Sequence, residues 1–154
     1  SLFYGVRLGM TYDDFYWYCF NKNLEGVFKP NIEGTAVVLS FTKNFGAPVD
    51  LEFFPKVDGK YTPITKYRGV VRYKNFSFYN KEHHINNLIS ETIHFFEGGY
   101  GGNKFIAMPS KNNLIKYDYV KIDGNRKIFI SPAFEGDKIF VEFEDLKPID
   151  QNGI

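Results

Sequence analysis

The chain has 154 residues, a size that suits one domain or two very small ones, and its 19 Lys and Arg against 18 Asp and Glu leave a formal net charge of +1. Aromatic residues make up 19% of it, as 17 Phe, 11 Tyr and one Trp, whereas Cys occurs once and Met twice. This composition excludes a disordered tail, a coiled coil, a disulfide scaffold and a structural zinc module, and no apolar run approaches the roughly 20 residues of a membrane-spanning helix.

The first clear signal is a helix start in residues 9–15, Gly-Met-Thr-Tyr-Asp-Asp-Phe. Thr11 is predicted to be the N-cap, with Asp14 three residues later as the carboxylate of a capping box and Met10 against Phe15 as a hydrophobic staple. Asp13 and Asp14 also suit the positive end of the helix dipole. The predicted helix runs to residue 22 or 23, stops before Gly26, and has an inner face formed by Phe15, Tyr18 and Cys19.

Short strands are predicted after this helix. Residues 35–43 are apolar and rich in β-branched side chains, residues 49–53 alternate, and Asp58-Gly59 is a hairpin turn signal. Beyond Pro63 the alternation predicts one strand with two distinct faces over residues 66–74. Its cations are Lys66, Arg68, Arg72 and Lys74, and its core side is Tyr67, Val71 and Tyr73.

A second helix is predicted to open at Asn80 and to end at Gly98-Gly99, because apolar residues recur between them at helical spacing. Strands are predicted at about residues 104–108, 114–122, 127–131 and 138–144. The turns Asp123-Gly124-Asn125 and Glu135-Gly136-Asp137 link the last three of these strands. The helical positions are Ile85, Leu88, Ile89 and Phe96.

These elements predict an α+β fold with two helices packed on antiparallel β-sheet. The order of one helix and about four strands occurs twice, which is compatible with a single domain over residues 1–154 or with two pseudo-repeats, 1–76 and 77–154. The sequence leaves open whether the two halves form one sheet or two, and it predicts no oligomeric state.

The stretch Gly9-Met10-Thr11-x-x-Asp14, followed by an aromatic helix and antiparallel strands, resembles the small bacterial envelope proteins of the β-lactamase-inhibitor-protein-like and outer-membrane-assembly small-lipoprotein group. The inhibitor-like members carry two such helix-plus-sheet units in tandem. The second half departs from the pattern, since Tyr79-Asn80-Lys81-Glu82 stands where a second Gly-Met-Thr is expected. The resemblance implies a non-catalytic exported protein, periplasmic or secreted, and transfers no binding residue.

The sequence is compatible with a second cellular location. Ser1 in place of methionine suggests a processed chain, so the lack of a signal peptide is uninformative. The single cysteine, Cys19, lies between Tyr18 and Phe20 and is interpreted as a small hydrophobe. Such low cysteine usage fits the cytoplasm, the alternative location, as well as an envelope.

No metal site or cofactor is predicted. His83 and His94 lie about 16 Å apart along a helix, and His83 and His84 point about 100° apart, so neither pair chelates an ion. All three histidines are expected on a polar face of the second helix. The glycine cluster at residues 98–104 follows a helix instead of preceding one, so it is interpreted as a helix C-cap and turn and not as a phosphate loop.

Two alternative functions remain open, one catalytic and one in nucleic-acid binding. Paired carboxylates at Asp13-Asp14 and Glu144-Asp145 permit an envelope hydrolase. The basic strand at residues 66–74 permits nucleic-acid binding, although its aromatic residues lie opposite its cations and the net charge is near zero, so nucleic acid is not the favoured partner. The other interpretation is a solvent face whose cations meet Glu52, Asp118, Glu142 and Glu144 on other strands.

The leading hypothesis is binding of a protein or a glycan through aromatic residues. Tyr16 and Trp17 lie off the inner face of the first helix, Tyr100 is expected in a glycine-rich loop, and Tyr119 lies on a strand. These four are the candidate binding residues. Most other aromatic residues take inward periodic positions and are expected to fill the core: Phe15, Tyr18, Phe53, Tyr67, Tyr73, Phe96, Phe129 and Phe143.

Overall fold

A computed structural model describes residues 2, 4–32, 34–111 and 117–146. The helices are α1 (Tyr12–Leu24) and α2 (Ile85–Tyr100), and a 3-10 turn, Lys81–His83, precedes α2. The strands of the first half are β1 (Lys29–Pro30), β2 (Val37–Phe41), β3 (Val49–Pro55) and β4 (Lys66–Tyr73). Those of the second half are β5 (Ile106–Pro109), β6 (Tyr117–Asp123), β7 (Arg126–Pro132) and β8 (Ile139–Asp145).

The eight strands form one antiparallel sheet in the order β1-β2-β3-β4-β8-β7-β6-β5. Each half contributes a four-stranded meander, and the last strands of the two meanders pair at the centre, with Lys66 opposite Glu144 and Val71 opposite Ile139. The predicted α+β class is confirmed, and so is the order of one helix and four strands written twice. The two halves share a single sheet.

Both helices pack on the same face of this sheet, which we call the inner face. Phe15 of α1 meets Phe53 and Tyr67 at ring centroid distances of 6.2 Å and 5.7 Å, and Phe96 of α2 meets Phe143 at 5.4 Å. Strand alternation supplies much of the rest of the core, because alternate residues are buried from Val49 to Phe53 in β3, along β4, and from Ile139 to Phe143 in β8. One continuous hydrophobic core therefore joins the two halves.

The opposite, outer face of the sheet carries no helix among the described residues. Lys66, Arg68 and Arg72 lie there, as predicted from the alternation of β4. Phe129 also lies there, opposite Val120 and Glu142 in register, so its predicted core position is wrong. The inward positions of β7 are Ile128 and Ile130, and the strand period of two places Phe129 on the other side.

The predicted start of α1 is confirmed. Thr11 is the N-cap in extended backbone, and its hydroxyl accepts a hydrogen bond from the Asp14 amide at 3.1 Å. Asp13 and Asp14 lie in the first turn. The helix extends to Leu24, one or two residues beyond the prediction.

The predicted ends of α2 need correction. Asn80 caps the 3-10 turn instead, and α2 begins after His84, whose ring nitrogen Nδ1 accepts from the Asn86 amide at 3.1 Å. The helix continues through Gly98 and Gly99 and ends at Gly101, where φ is +63°. Consequently Tyr100 is the last residue of a helix and not part of a loop.

The carbonyl end of α2 is held by a buried lysine. Lys121 of β6 is 1% exposed, and its ammonium group donates to the carbonyl oxygens of Gly101 and Asn103, the latter at 2.6 Å, and to the carboxylate of Asp123. The hydrogen bond from Lys121 lowers the pKa of Asp123. A cation is favourable at this position, because the carbonyl end of a helix carries partial negative charge.

The connections follow the turn signals with one exception. Gly124, at φ +57°, sits in the two-residue turn between β6 and β7, and Glu135-Gly136-Asp137 lies in the loop between β7 and β8. Asp58-Gly59 does not form a tight turn, because β3 and β4 are joined by the ten residues 56–65. Residues 114–116 of the strand predicted at 114–122 lie outside the described residues.

Three tyrosine hydroxyls hold the segment before α1. Tyr18 of α1 donates to the carbonyl of Tyr4, Tyr67 of β4 to that of Arg7 at 2.9 Å, and Tyr100 of α2 to that of Leu2. Val6, between these contacts, is fully buried. The segment thereby ties the two helices and the central sheet together.

Candidate functional site

The most exposed apolar surface on a helix belongs to α1. Tyr16, Trp17, Phe20 and Leu24 are 52%, 55%, 47% and 72% exposed, and we call these four residues the α1 outer face. The three aromatic rings form a chain of contacts, with centroid distances of 5.3 Å between Tyr16 and Trp17 and 5.9 Å between Trp17 and Phe20, and Leu24 follows Phe20 one helical turn later. The site is therefore a connected aromatic surface and not a set of isolated side chains.

Helical geometry explains why these residues face solvent. Each residue advances about 100° around the axis, so Trp17 points about 200° away from the buried Phe15. Trp17, Phe20 and Leu24 then recur at spacings of three and four, which keeps them on one side of the helix. The helix is consequently apolar on two sides, one against the sheet and one outward.

The corresponding helix of the second half is different. The exposed positions of α2 carry amide, hydroxyl, imidazole or glycine groups: Asn86, Asn87, Ser90, His94, Gly98 and Gly99. Both helices lie on the same face of the same sheet, so their outward sides can be compared directly. The outward side of α2 is polar, as expected for a helix side that faces water. Water exposure alone does not account for the α1 outer face.

Two grooves flank this surface. One, of about 290 Å³, lies between α1 and the ends of β1 to β3, with Cys19, Phe28 and Phe53 among its walls. The other, of about 480 Å³, lies between the first half of α1 and the loop after β3, with Trp17, Val57 and Lys60 in its wall. Tyr12 and Tyr16 line both grooves and form the ridge that separates them.

Cys19 contributes to the first groove as an apolar wall. It is a free, partly buried thiol that packs against the core. Burial raises the pKa of the Cys19 thiol to about 12, so the group is a neutral thiol at pH 7. It is not an activated nucleophile, in agreement with its predicted hydrophobic character.

The four predicted binding residues divide into two groups. Tyr16 and Trp17 lie together on the α1 outer face, whereas Tyr119 is half-buried on β6 against the core. Tyr100 stacks on Phe96 at a centroid distance of 5.9 Å, beneath the guanidinium of Arg126 at 4.3 Å. Burial raises the pKa of Tyr100, whose hydroxyl is occupied by the Leu2 carbonyl.

The histidines do not share a helix face. His94 alone lies within α2 and is exposed, whereas His84 is the N-cap and His83 belongs to the 3-10 turn. His83 is 8% exposed and stacks on Tyr73 at 5.0 Å, so its expected place on a polar helix face is wrong. Within the described ranges no three His, Cys, Asp or Glu side chains come together as metal ligands.

The acidic residues of β8 meet the basic strand. Lys66 lies 3.3 Å from Glu142 and 2.8 Å from Glu144, and Arg68 lies 3.4 Å from Glu142. The hydrogen bond from Lys66 lowers the pKa of Glu144. In the first carboxylate pair, Asp13 lies 3.6 Å from Lys60. These ion pairs bear out the interpretation for Glu142 and Glu144 only. Glu52 instead accepts a hydrogen bond from the Asn31 side-chain amide at 2.9 Å, and neither Glu52 nor Asp118 forms an ion pair with a described residue.

Sequence reasoning missed Phe20, Leu24 and the grooves. The same 100° rotation that separates Trp17 from Phe15 also places Phe20 and Leu24 outward, so the signal was present in the helix itself. The grooves were not predictable, because they depend on how the ends of β1 to β3 lie beside α1.

Comparison of the chain with protein-family models, with curated proteins and with solved structures found no match. Among the described residues, no helix has the length and apolar character needed to cross a bilayer.

Proposed function

We propose that the protein is a non-catalytic, exported bacterial protein that binds another macromolecule or a glycan through the α1 outer face. The observation that carries this proposal is the contrast between the two helices. Trp17 and Phe20 are about half exposed on α1, while Ser90 and His94 occupy outward positions of α2. Exposed, contiguous apolar patches on a folded domain are typical of interaction sites.

The size of the patch supports this function. Large aromatic side chains present roughly 150–250 Å² each, so the half-exposed residues of the α1 outer face offer about 400 Å² of apolar surface. One side of a standard protein interface buries about 800 Å², of which somewhat more than half is apolar. The patch is therefore about as large as the apolar part of a complete interface.

The chemistry of the patch also suits binding. Trp and Tyr are the residues most enriched among those that dominate binding energy, and they do so when a partner excludes water from them. Tyr16 and Trp17 are already held in an edge-to-face contact, with an interplanar angle of 85°. Two rings that support each other lose less side-chain freedom when a partner covers them.

The exported location rests on the resemblance to small bacterial envelope proteins. The helix start that carries the resemblance, Thr11 with Asp14, is a structural cap, so the proposed binding surface is argued from the neighbouring residues of α1 and not from the family pattern. A periplasmic or secreted location is proposed on this basis, with the cytoplasm as the alternative. Fractionation of the producing cells with an antibody to the protein separates the two.

The test is a comparison of Trp17→Ala with His94→Ala on a glycan array and against envelope extract. We expect Trp17→Ala to lose the bound material while its urea unfolding midpoint stays within error of the wild type, because Trp17 is about half exposed. His94→Ala, on the exposed side of α2, should retain binding. Equal binding by Trp17→Ala, or a large fall in its unfolding midpoint, contradicts the proposal.

A further inference from the structure

We infer that the partner of the α1 outer face is a protein that presents an amphipathic helix, with an apolar seam against Trp17, Phe20 and Leu24 and a basic residue over the first turn of α1. This inference rests on the proposed function and names the class of partner.

The spacing of the exposed residues favours a helix over other shapes. Trp17, Phe20 and Leu24 recur at three and four residues, the spacing of the seam along which two helices pack. Tyr16, Phe20 and Leu24 form a second row at intervals of four, a ridge that fits between the ridges of a neighbouring helix. An extended strand has a period of two and matches neither row.

The two grooves beside α1 also suit a helical partner. They lie on either side of the ridge formed by Tyr12 and Tyr16, at about 290 Å³ and 480 Å³. A helix lying along α1 presents side chains to both of its own flanks at intervals of three and four residues. Large apolar side chains from such a helix can therefore enter the two grooves while its seam covers Trp17.

Charge identifies the end of the partner helix that is basic. Asp13 and Asp14 lie in the first turn of α1, and the Asp13 carboxylate lies 3.6 Å from the well-exposed Lys60. The Asp14 carboxylate has no ion-pair partner among the residues that the structure describes. A Lys or Arg of the partner placed over this turn complements the two carboxylates.

The same charges argue against a second copy of the chain as the occupant. An antiparallel contact that sets Trp17 against Phe20 of the second copy brings Asp13 of one copy beside Leu24 and Glu25 of the other. A parallel contact brings the two Asp13 carboxylates together. The antiparallel contact sets the Asp13–Lys60 ion pair beside the Lys22–Glu25 ion pair, which adds no new match of opposite charges. The parallel contact sets two acidic first turns together, which is unfavourable at an interface.

The experiment uses three displayed peptide libraries of equal diversity, selected against the full chain. The first is a single helix with leucine at the seam positions and random residues elsewhere, the second a two-stranded hairpin, and the third an unstructured linear peptide. We expect the helix library to yield the enriched binders. We also expect these binders to carry Lys or Arg toward one end.

Variants of the chain show which surface the helical binders contact. Trp17→Ala/Phe20→Ala should weaken the helical binders at least tenfold, and Leu24→Lys provides a second disruption at the other end of the face. The matched control is Ser90→Ala/His94→Ala on the exposed side of α2, which should leave binding unchanged. Asp13→Asn/Asp14→Asn should weaken it about threefold, the usual effect of an exposed ion pair.

Trp17 is the only tryptophan, so it reports on its own surface. A tryptophan-free helical binder should shift the Trp17 emission to shorter wavelength and protect it from acrylamide. Helical binders that are unaffected by Trp17→Ala/Phe20→Ala, or enrichment confined to the hairpin or linear library, overturn the inference. Hairpin or linear binders that depend on Trp17 would overturn the helical partner while leaving the proposed function standing, whereas the absence of any Trp17-dependent binder would remove both.

Discussion

The Tyr67 hydroxyl, at the centre of the sheet, donates a hydrogen bond of 2.9 Å to the carbonyl oxygen of Arg7, sixty residues earlier in the chain. The Tyr67 ring is fully buried and also contacts Phe15 of α1. This bond joins the segment before α1 to β4, the strand of the first half that pairs with β8 of the second half. Burial raises the pKa of Tyr67, so the hydroxyl keeps its proton and remains a donor at neutral pH.

Tyr67→Phe should lower the free energy of unfolding by about 1 kcal/mol, because it removes one buried hydrogen bond and keeps the ring. Urea denaturation followed by circular dichroism measures the change. Tyr79→Phe is the matched control, since Tyr79 is fully exposed, and its midpoint should not move. Equal effects of the two substitutions would show that the bond to Arg7 contributes nothing.

Lys121→Met should be the most destabilising of the single charge changes, at about 3 kcal/mol. It leaves the Asp123 carboxylate and the carbonyl oxygens of Gly101 and Asn103 without their shared cation. The control is Lys104→Met, at an exposed position. The double variant Lys121→Met/Asp123→Asn should recover part of the loss, and a lower midpoint for the double than for the single variant contradicts this account.

Stability should fall in acid. The pKa values of Asp123 and Glu144 are lowered in the folded protein by hydrogen bonds from Lys121 and Lys66, respectively. Because a depressed folded pKa means that the unfolded chain binds protons more readily, the stabilisation is complete above the unfolded values, about 4, and is lost as the pH falls through the folded ones.

The unfolding midpoint in urea, measured from pH 7 to pH 3, checks this dependence. It should be level above about pH 5 and decline below that value. Glu144→Gln should start lower at pH 7 and decline less steeply, whereas Glu135→Gln in the exposed loop before β8 should follow the wild type. A profile that is the same for Glu144→Gln and the wild type would exclude Glu144 as a source of the acid sensitivity.

His83→Ala should cost about 2 kcal/mol, since it removes a buried ring and leaves the Ser77 amide without its acceptor at 3.0 Å. Faster hydrogen exchange at the Ser77 amide would localise the effect to the turn before α2. His94→Ala is the control because His94 is exposed on α2. If exchange at Ser77 is unchanged in His83→Ala, the bond is not formed in solution.

The features that could be predicted from the sequence are those set by neighbouring residues. Thr11 and Asp14 are three residues apart, so the start of α1 is decided locally, and the alternation of β4 is a property of eight consecutive residues. The same helical rotation separates Trp17 from Phe15, which is why half of the α1 outer face was found from sequence alone.

The remaining features depend on residues far apart in the chain. The burial of His83 follows from its stacking on Tyr73, and the burial of Lys121 follows from the position of the end of α2 above β6. Nothing near Lys121 in sequence distinguishes it from a surface lysine, except that it shares the strand parity of the inward Tyr119. The pairing of β4 with β8 is likewise a non-local event.

The pairing of β4 with β8 also has a consequence during synthesis, because β4 is made long before its partner strand. When β4 leaves the ribosome, its outer hydrogen-bonding edge has no partner until β8 follows about 70 residues later, an interval of several seconds at ordinary rates of translation. Exposed strand edges attract other chains, and charged side chains discourage such contacts. We therefore expect Lys66 and Arg68 on β4 to discourage pairing of this open edge with other chains until Glu142 and Glu144 of β8 form ion pairs with them.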